Sequence, residues 1–197
     1  AALIAQGNTK VLAARFHDAK FFYAEDRKQQ LADHGKALEG MRWIRGGGTM
    51  ADKARRIGDL AASLSGLLGS DVDIARTAGQ LCKADLATQM VGEFPELQGH
   101  VGQLLAAQQG QPEAVALAIE EHYLPRHATD QLPTSAAGRA TALADRIDTL
   151  TGCFSLGLKP KGSADPLGLR RSANGLLSIL RSAGVRTPLA ELWSLSE

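Results

Sequence analysis

The chain has 197 residues, of which 44% are hydrophobic and 22% charged, with a formal net charge of +1. That is ordinary globular composition with enough length to bury a sizeable core, and no run approaches the about 18 apolar residues a membrane span requires. Near-neutrality excludes a strongly basic nucleic-acid binder, but residues 1–60 carry +4, residues 61–150 carry −6 and residues 151–197 carry +3, which suits contact with phosphate on limited patches.

Apolar residues recur at three- and four-residue spacing almost throughout, and strand alternation is missing. The pattern predicts a first helix from about Asn8 to His34. Arg45–Thr49, with Gly46, Gly47 and Gly48, is a break that reads as a flexible turn. Thr49 then opens a second helix, with Asp52 three residues on as a capping box, and Gly69 ends it. Ser70 and Asp73 form a further capping pattern for a third helix, Asp71 to about Gln89. Pro95 restrains Phe94 and removes a backbone donor, so the chain breaks at Gly92–Pro95 before a helix from Glu96 to Gln108. Glu93 and Glu96 there either cap that helix or meet a basic neighbour. Pro112 suits the first position of a helix over Glu113–His122. Tyr123–Pro133 is irregular. Thr134 caps a helix to about Leu156, Asp165-Pro166 starts another to Ala183, and Thr187-Pro188 opens a last short one. Seven to nine helices without a strand make the fold all-α.

Few motifs carry chemistry. Cys82 and Cys153 lie far apart with no CxxC and read as two buried thiols in a reduced compartment. IRGGGTMADK lacks the spacing and preceding strand of a phosphate loop. The adjacent His17-Asp18 is tempting as a metal pair, but His17 reads as a surface or half-buried residue. His100, His122 and His127 show no ligand spacing. The aromatics Phe21–Tyr23 read as packing residues. Basic candidates for RNA contact are Arg42, Arg45, Lys53, Arg55, Arg56, Lys159, Lys161, Arg170 and Arg171. The loop GLKPKGSADP is the best of these, since two lysines precede a helix N-terminus that itself attracts phosphate; the plainer reading of each cluster is a solvated helix face. Aromatic residues are only 5% of the chain, which favours backbone contact over base stacking. The opening AALIAQGNTK has neither an initiator Met nor a signal-peptide layout and reads as the cut edge of a longer chain.

Five ordered segments point to a family. They are ARFHDAKFFYAED at Ala14–Asp26, QMVGEFPELQG at Gln89–Gly99, EEHYLPRHATDQLP at Glu120–Pro133, ALADRIDTLTG at Ala142–Gly152 and GSADPLGLRRSANGLLSIL at Gly162–Leu180. On these the chain resembles the β subunit of the two-subunit bacterial glycyl-tRNA synthetase. The resemblance implies an HD-domain-like helical bundle over residues 1–197, with a leading helix and connection at 1–48, a core at 49–183 and a short C-terminal helix at 184–197. Active HD phosphohydrolases hold a divalent cation with an early His, a His-Asp pair and a late Asp. The matching positions here are the Thr49–Asp52 turn, Ala84-Asp85 and Asp145, so both imidazoles are gone and the site is degenerate; the plainer reading of Asp85 and Asp145 is that they cap helices or pair with Arg or Lys inside the bundle.

The resemblance also implies a role in an ATP-dependent glycine–tRNA ligase of the cytoplasm. In that αβ heterotetramer the α subunit uses ATP and Mg, and no cofactor is expected in this fragment. The implied partners are the α subunit and tRNA(Gly), with no membrane and no DNA. The expectation is a noncatalytic tRNA-binding or scaffolding domain, whose RNA-contact candidates are Lys53, Arg55, Arg56, Lys159, Lys161, Arg170 and Arg171. The alternatives are a residual metal-dependent HD phosphohydrolase and a purely structural interdomain module.

Overall fold

The computed structural model describes residues 2–195, and its regular elements are helical. Ten α-helices and three 3₁₀ turns occur among the described residues, with two isolated β-bridges. The all-α expectation holds, but the number exceeds seven to nine because two expected helices are broken.

The first break separates α1 (Ala2–Asp26) from α2 (Leu31–Lys36). Asp26 is buried, and its carboxylate accepts the backbone N–H groups of Gln89 and Met90 at 2.9 and 2.8 Å. His34 Nε2 lies 2.9 Å from the Asp26 carbonyl. These contacts bind the end of α1 to distant parts of the chain and turn it away from a continuous helix.

The second break divides the expected third helix. α3 (Met50–Leu68) begins with the anticipated Thr49–Asp52 capping box and ends at left-handed Gly69. α4 (Val72–Leu81) is capped by Asp71 rather than Ser70, and it stops well before Gln89. A 3₁₀ turn at Ala84–Ala87 and the short α5 (Gln89–Glu93) follow. The Thr88 hydroxyl forces this second start, because it donates to the Asp85 carbonyl at 2.6 Å and accepts from Val91 N–H at 3.2 Å. Pro95–Leu97 forms a 3₁₀ turn, so α6 (His100–Gln108) begins four residues later than predicted, after Gly99 at φ +85°.

α7 (Glu113–Glu121) follows Pro112. α8 (Ala136–Ser155) is capped by Ser135, not Thr134. α9 (Leu169–Ser182) starts after Gly168, three residues past Asp165-Pro166, and α10 (Leu189–Ser194) closes the described chain. The triple-glycine segment is a turn closed at its base by backbone contacts. Arg42 and Thr49 form a bridge, Trp43 N–H donates to the Gly48 carbonyl, and Met50 N–H donates to the Met41 carbonyl.

Two apolar clusters flank α4. One joins Ile57 and Leu64 of α3, Leu143 and Ile147 of α8, and Leu176 and Ile179 of α9. The other joins Leu31, Val91, Leu105, Val115 and Ile119. Phe22 and Tyr23 of α1 are half-buried, whereas Phe21 is exposed, so only part of that aromatic run packs within this chain. α3 and α4 cross with their backbones almost touching: a Cβ added at Gly79 would lie 2.6 Å from Gly58 Cα. Side chains on α3 reach Asp145 and Asp148 of α8 only while this crossing holds α3 in place.

Gly79→Val inserts two methyl groups and a Cβ into that crossing. Overpacking of this kind costs about 2 kcal/mol, or roughly 4–8 °C in Tm for a domain of this size. Thermal melts followed by circular dichroism check this; an unchanged Tm would show that the crossing has slack.

Candidate functional site

The polar centre of the molecule is a group of charges at the junction of α3, the α4–α5 connection and α8. Asp145 projects from α8. Lys53, from α3, is 3% exposed. Its Nζ lies 2.9 Å from Asp145 Oδ1 as an ion contact, while its protons are directed to Asp148 Oδ2 at 2.9 Å, Thr149 Oγ1 at 2.7 Å and the Asp145 carbonyl at 3.4 Å. Lys83 approaches from the other side and donates to Asp145 Oδ2 at 2.8 Å and to His122 Nε2 at 2.9 Å. Aromatic faces complete the two ammonium shells: Lys53 sits 4.6 Å above the Trp43 ring and Lys83 sits 4.1 Å above the Tyr123 ring. Arg56 closes the outer edge by donating Nε–H to Asp148 Oδ1 at 2.5 Å.

The protonation states follow from these partners. Burial works to raise the Asp145 carboxyl, but the facing Lys53 and Lys83 ammonium groups hold it well below the usual carboxylate range. Burial, with help from Lys83, pushes His122 well below the usual imidazole range. A neutral His122 carrying its proton on Nδ1 satisfies both neighbours, donating to the Ile119 carbonyl at 2.5 Å and accepting from Lys83 on Nε2.

Asp85 is spent differently. Its Oδ2 accepts the N–H groups of Gly99 and Gly102 at 2.6 and 3.1 Å, at the start of α6. Its Oδ1 is buried without a hydrogen-bond partner, and burial raises the carboxyl above its ordinary value. Ala84 is fully buried and offers no donor atom. Asp52 belongs to the capping box, and the Thr49 amide leads in holding it down to about 2. A divalent cation does not fit this donor set. Asp145 is already neutralised by two ammonium groups, Asp85 is turned to backbone amides, and no cluster of three or more His, Cys, Asp or Glu among the described residues is arranged to hold a metal. Cys82 and Cys153 are free and buried, and burial pushes the Cys82 thiol up to about 12.

The basic candidates separate sharply. Lys53 is buried in the ion group, so its ammonium is not available to phosphate. Arg56 is tied to Asp148, and Arg55 is exposed but paired with Asp52 at 2.7 Å. Lys159 and Lys161 are exposed beside a small pocket of about 210 Å³. The helix N-terminus after them is not vacant, however. Asp165 accepts Leu169 N–H at 2.8 Å and Arg170 N–H at 2.9 Å and occupies the place a phosphate would take. Arg170 donates to the Gly162 carbonyl at 2.5 Å, while Arg171 lines a larger cleft of about 490 Å³ beside Asp145, His122 and Arg126. His17 is exposed, and His100 pairs with Glu120 at 3.0 Å.

The family model for the glycyl-tRNA synthetase beta subunit matches residues 1–197. The chain belongs to that family. It is 50% identical over 193 residues to the glycine–tRNA ligase beta subunit of Chromohalobacter salexigens, a match covering 98% of this chain and 28% of that protein. It is 47% identical over 180 residues to the corresponding subunit of Halalkalibacterium halodurans, covering 90% of this chain and 26% of that protein. The chain thus spans about a quarter of the length of the curated relatives it matches.

Three buried carboxylates make ties in or beside the segments that carried the resemblance. Asp26 of the first segment caps α5 within the second. Asp85 binds the end of that second segment. Glu121 of the third accepts from the backbone and hydroxyl groups of Thr134 and Ser135 at the start of α8. A Cβ at Gly138 would lie 2.0 Å from Glu121 Oε2, so glycine is required for that approach. Arg146, next to Asp145, donates to the carbonyls of His122, Ala142, Tyr123, Leu124 and Pro125 and pins the irregular segment before α8. The sequence pattern does not single out Lys83, His122, Arg146 or Asp148. Two signals were nonetheless there: Lys83 abuts Ala84-Asp85, and Asp148 lies one helical turn from Asp145.

Two outcomes are expected. Asp145→Asn leaves two buried ammonium groups short of their anion and destabilises the chain by about 3–5 kcal/mol in denaturant melts; a change below about 1 kcal/mol would mean the lysines find other partners. His122 has a folded pKa depressed below its unfolded value. Its contribution is therefore present above about pH 6.5 and is lost as pH falls, at up to about 1.4 kcal/mol per pH unit. Comparing urea midpoints at pH 7.5 and 5.5, the parent loses stability that His122→Gln does not; equal losses would contradict a neutral buried imidazole.

Proposed function

We propose that this chain is a noncatalytic tRNA-binding and scaffolding domain of a cytoplasmic glycine–tRNA ligase, acting beside an α subunit that uses ATP and Mg. Membership of the β-subunit family supports a place in that ligase. The observation that carries the noncatalytic reading is the fate of the two carboxylates at the HD-like positions. Asp145 is locked between Lys53 and Lys83, and Asp85 is spent on the Gly99 and Gly102 amides. A water-activating metal site needs such carboxylates free to face a cation and an open coordination position. The scaffolding reading rests on the buried caps that join sequence-distant segments into one body.

The tRNA reading draws support from exposed cations on the C-terminal part of the chain, where each Lys or Arg neutralising a phosphate adds salt-dependent affinity. The chain is titrated with glycine-specific tRNA and with a noncognate tRNA at two salt concentrations. Salt-sensitive binding that favours the glycine tRNA is expected for a direct recognition element. Equal, weak binding to both makes it a backbone clamp or scaffold, and metal-dependent phosphatase activity in the unaltered chain overturns the noncatalytic reading. In the same assay, reversing the charge of Lys159 and Lys161 reports on that loop: an unchanged affinity and salt slope removes it as an RNA contact.

A further inference from the structure

The 490 Å³ cleft over the ion group has the chemistry of a phosphate-ester site, in a volume suited to a nucleotide. Arg126, from the irregular segment after α7, and Arg171, from the first turn of α9, both line it and are exposed. Neither guanidinium makes a hydrogen bond or ion pair with another described residue. Asp130 and Asp165 are near enough to be influenced by these charges, but both carboxylates are committed to backbone amides. Two unpaired forks at one cleft are unlike the other arginines of the site, since Arg56 holds Asp148 and Arg146 is saturated by five carbonyls. A guanidinium fork matches two phosphate oxygens at once.

The cleft floor does not oppose an anion. Asp145 faces it, but its charge is offset by the two lysines behind it, and Arg146 lies alongside. His122 is neutral. Glu96 is the remaining acid in the lining, and a carboxylate there can accept from a sugar hydroxyl or an amino group. Ser172 also lines this space, while the Thr149 hydroxyl is committed to Lys53 and the Asp145 carbonyl. Tyr123 is the one aromatic ring besides His122 in the lining, and it is already engaged by His122 at 3.8 Å and by Lys83. The cleft therefore favours contact with a phosphate and sugar over base stacking.

We propose that Arg126 and Arg171 hold a phosphate ester in this cleft. The site deepens the tRNA-binding reading and rests on it for the identity of the ligand as an RNA strand; a free nucleotide is the other source of the same chemistry. It also moves the expected phosphate contact away from the Lys159–Lys161 loop, whose helix N-terminus Asp165 already fills.

The test titrates the full chain with tRNA and, separately, with adenosine 5′-monophosphate, comparing Arg126→Ala, Arg171→Ala and the double variant. Arg181→Ala, on α9 outside the cleft, serves as control. Unchanged thermal melts are expected, since both cleft arginines are exposed. For tRNA, each single variant weakens binding about 3- to 10-fold and lowers the salt slope by about one, whereas Arg181→Ala does neither. Arginine-dependent tRNA binding with no response to the mononucleotide identifies a strand phosphodiester. Arginine-dependent binding of the mononucleotide, with no tRNA binding, supports the cleft while the tRNA reading fails. If the unaltered chain binds neither probe, or the cleft variants bind both as the parent does, the proposal is overturned.

Discussion

Asp145 is held between two buried ammonium groups, and the arrangement of the surrounding helices depends on that contact. Lys53 reaches it from α3, Lys83 from the connection after α4, and Asp145 itself stands on α8. An isolated ion in this setting would be strongly penalised by lost hydration. Each charge is tolerable only because the others, with Thr149, His122 and two aromatic faces, replace the water. The three elements are thereby held in one register, since moving any of them exposes an unmatched charge to an apolar interior. Coupling of this kind constrains geometry more than it adds net stability.

The same logic explains the family segments without invoking a reaction centre. Asp26, Asp85 and Glu121 are acids placed where helix N-termini leave backbone donors unsatisfied. Each reaches across the fold to the start of another element, so each is both a cap and a tertiary tie. A local cap leaves the relation between two helices free. A cap supplied from elsewhere fixes it, and leaving a buried amide orphaned costs about 1–3 kcal/mol. This gives the Gln89–Gly99 segment a physical reason for its unusual composition. Its backbone turns sharply at Thr88, Pro95 and Gly99, and the amides freed by those turns are collected by Asp26 and Asp85.

With the interior charges committed, the surface available to a polyanion narrows. Lys53 is removed by burial, Arg56 by Asp148 and Arg55 by Asp52. The exposed cations include Lys159 and Lys161 on the loop before α9, Arg171 at its first turn, Arg126 in the irregular segment after α7, and Arg42 and Arg45 before α3. Arg126 and Arg171 line the cleft over the buried ion group, so that group is a charge-compensated floor beneath two exposed guanidinium groups.

Local signals on the chain were enough to place much of the helical framework. The Thr49–Asp52 box, the stop at Gly69, the start after Pro112 and the short helix after Pro188 all act within a few residues of themselves, and each stands where periodicity and capping chemistry put it. The breaks at Asp26 and Thr88, the burial of Lys53 and the pairing of Lys83 with His122 and Asp145 were not legible in this way, because their partners lie as far as 95 residues away. Identity alone does not say whether a lysine is solvated or desolvated, or whether an aspartate caps its own helix or another. Sequence by itself determined the all-α class and most helix starts, which are properties of near neighbours and side-chain chemistry. Only the tertiary structure decided which charges are spent and which remain free, because hydration and ion pairing are set by what packs across space.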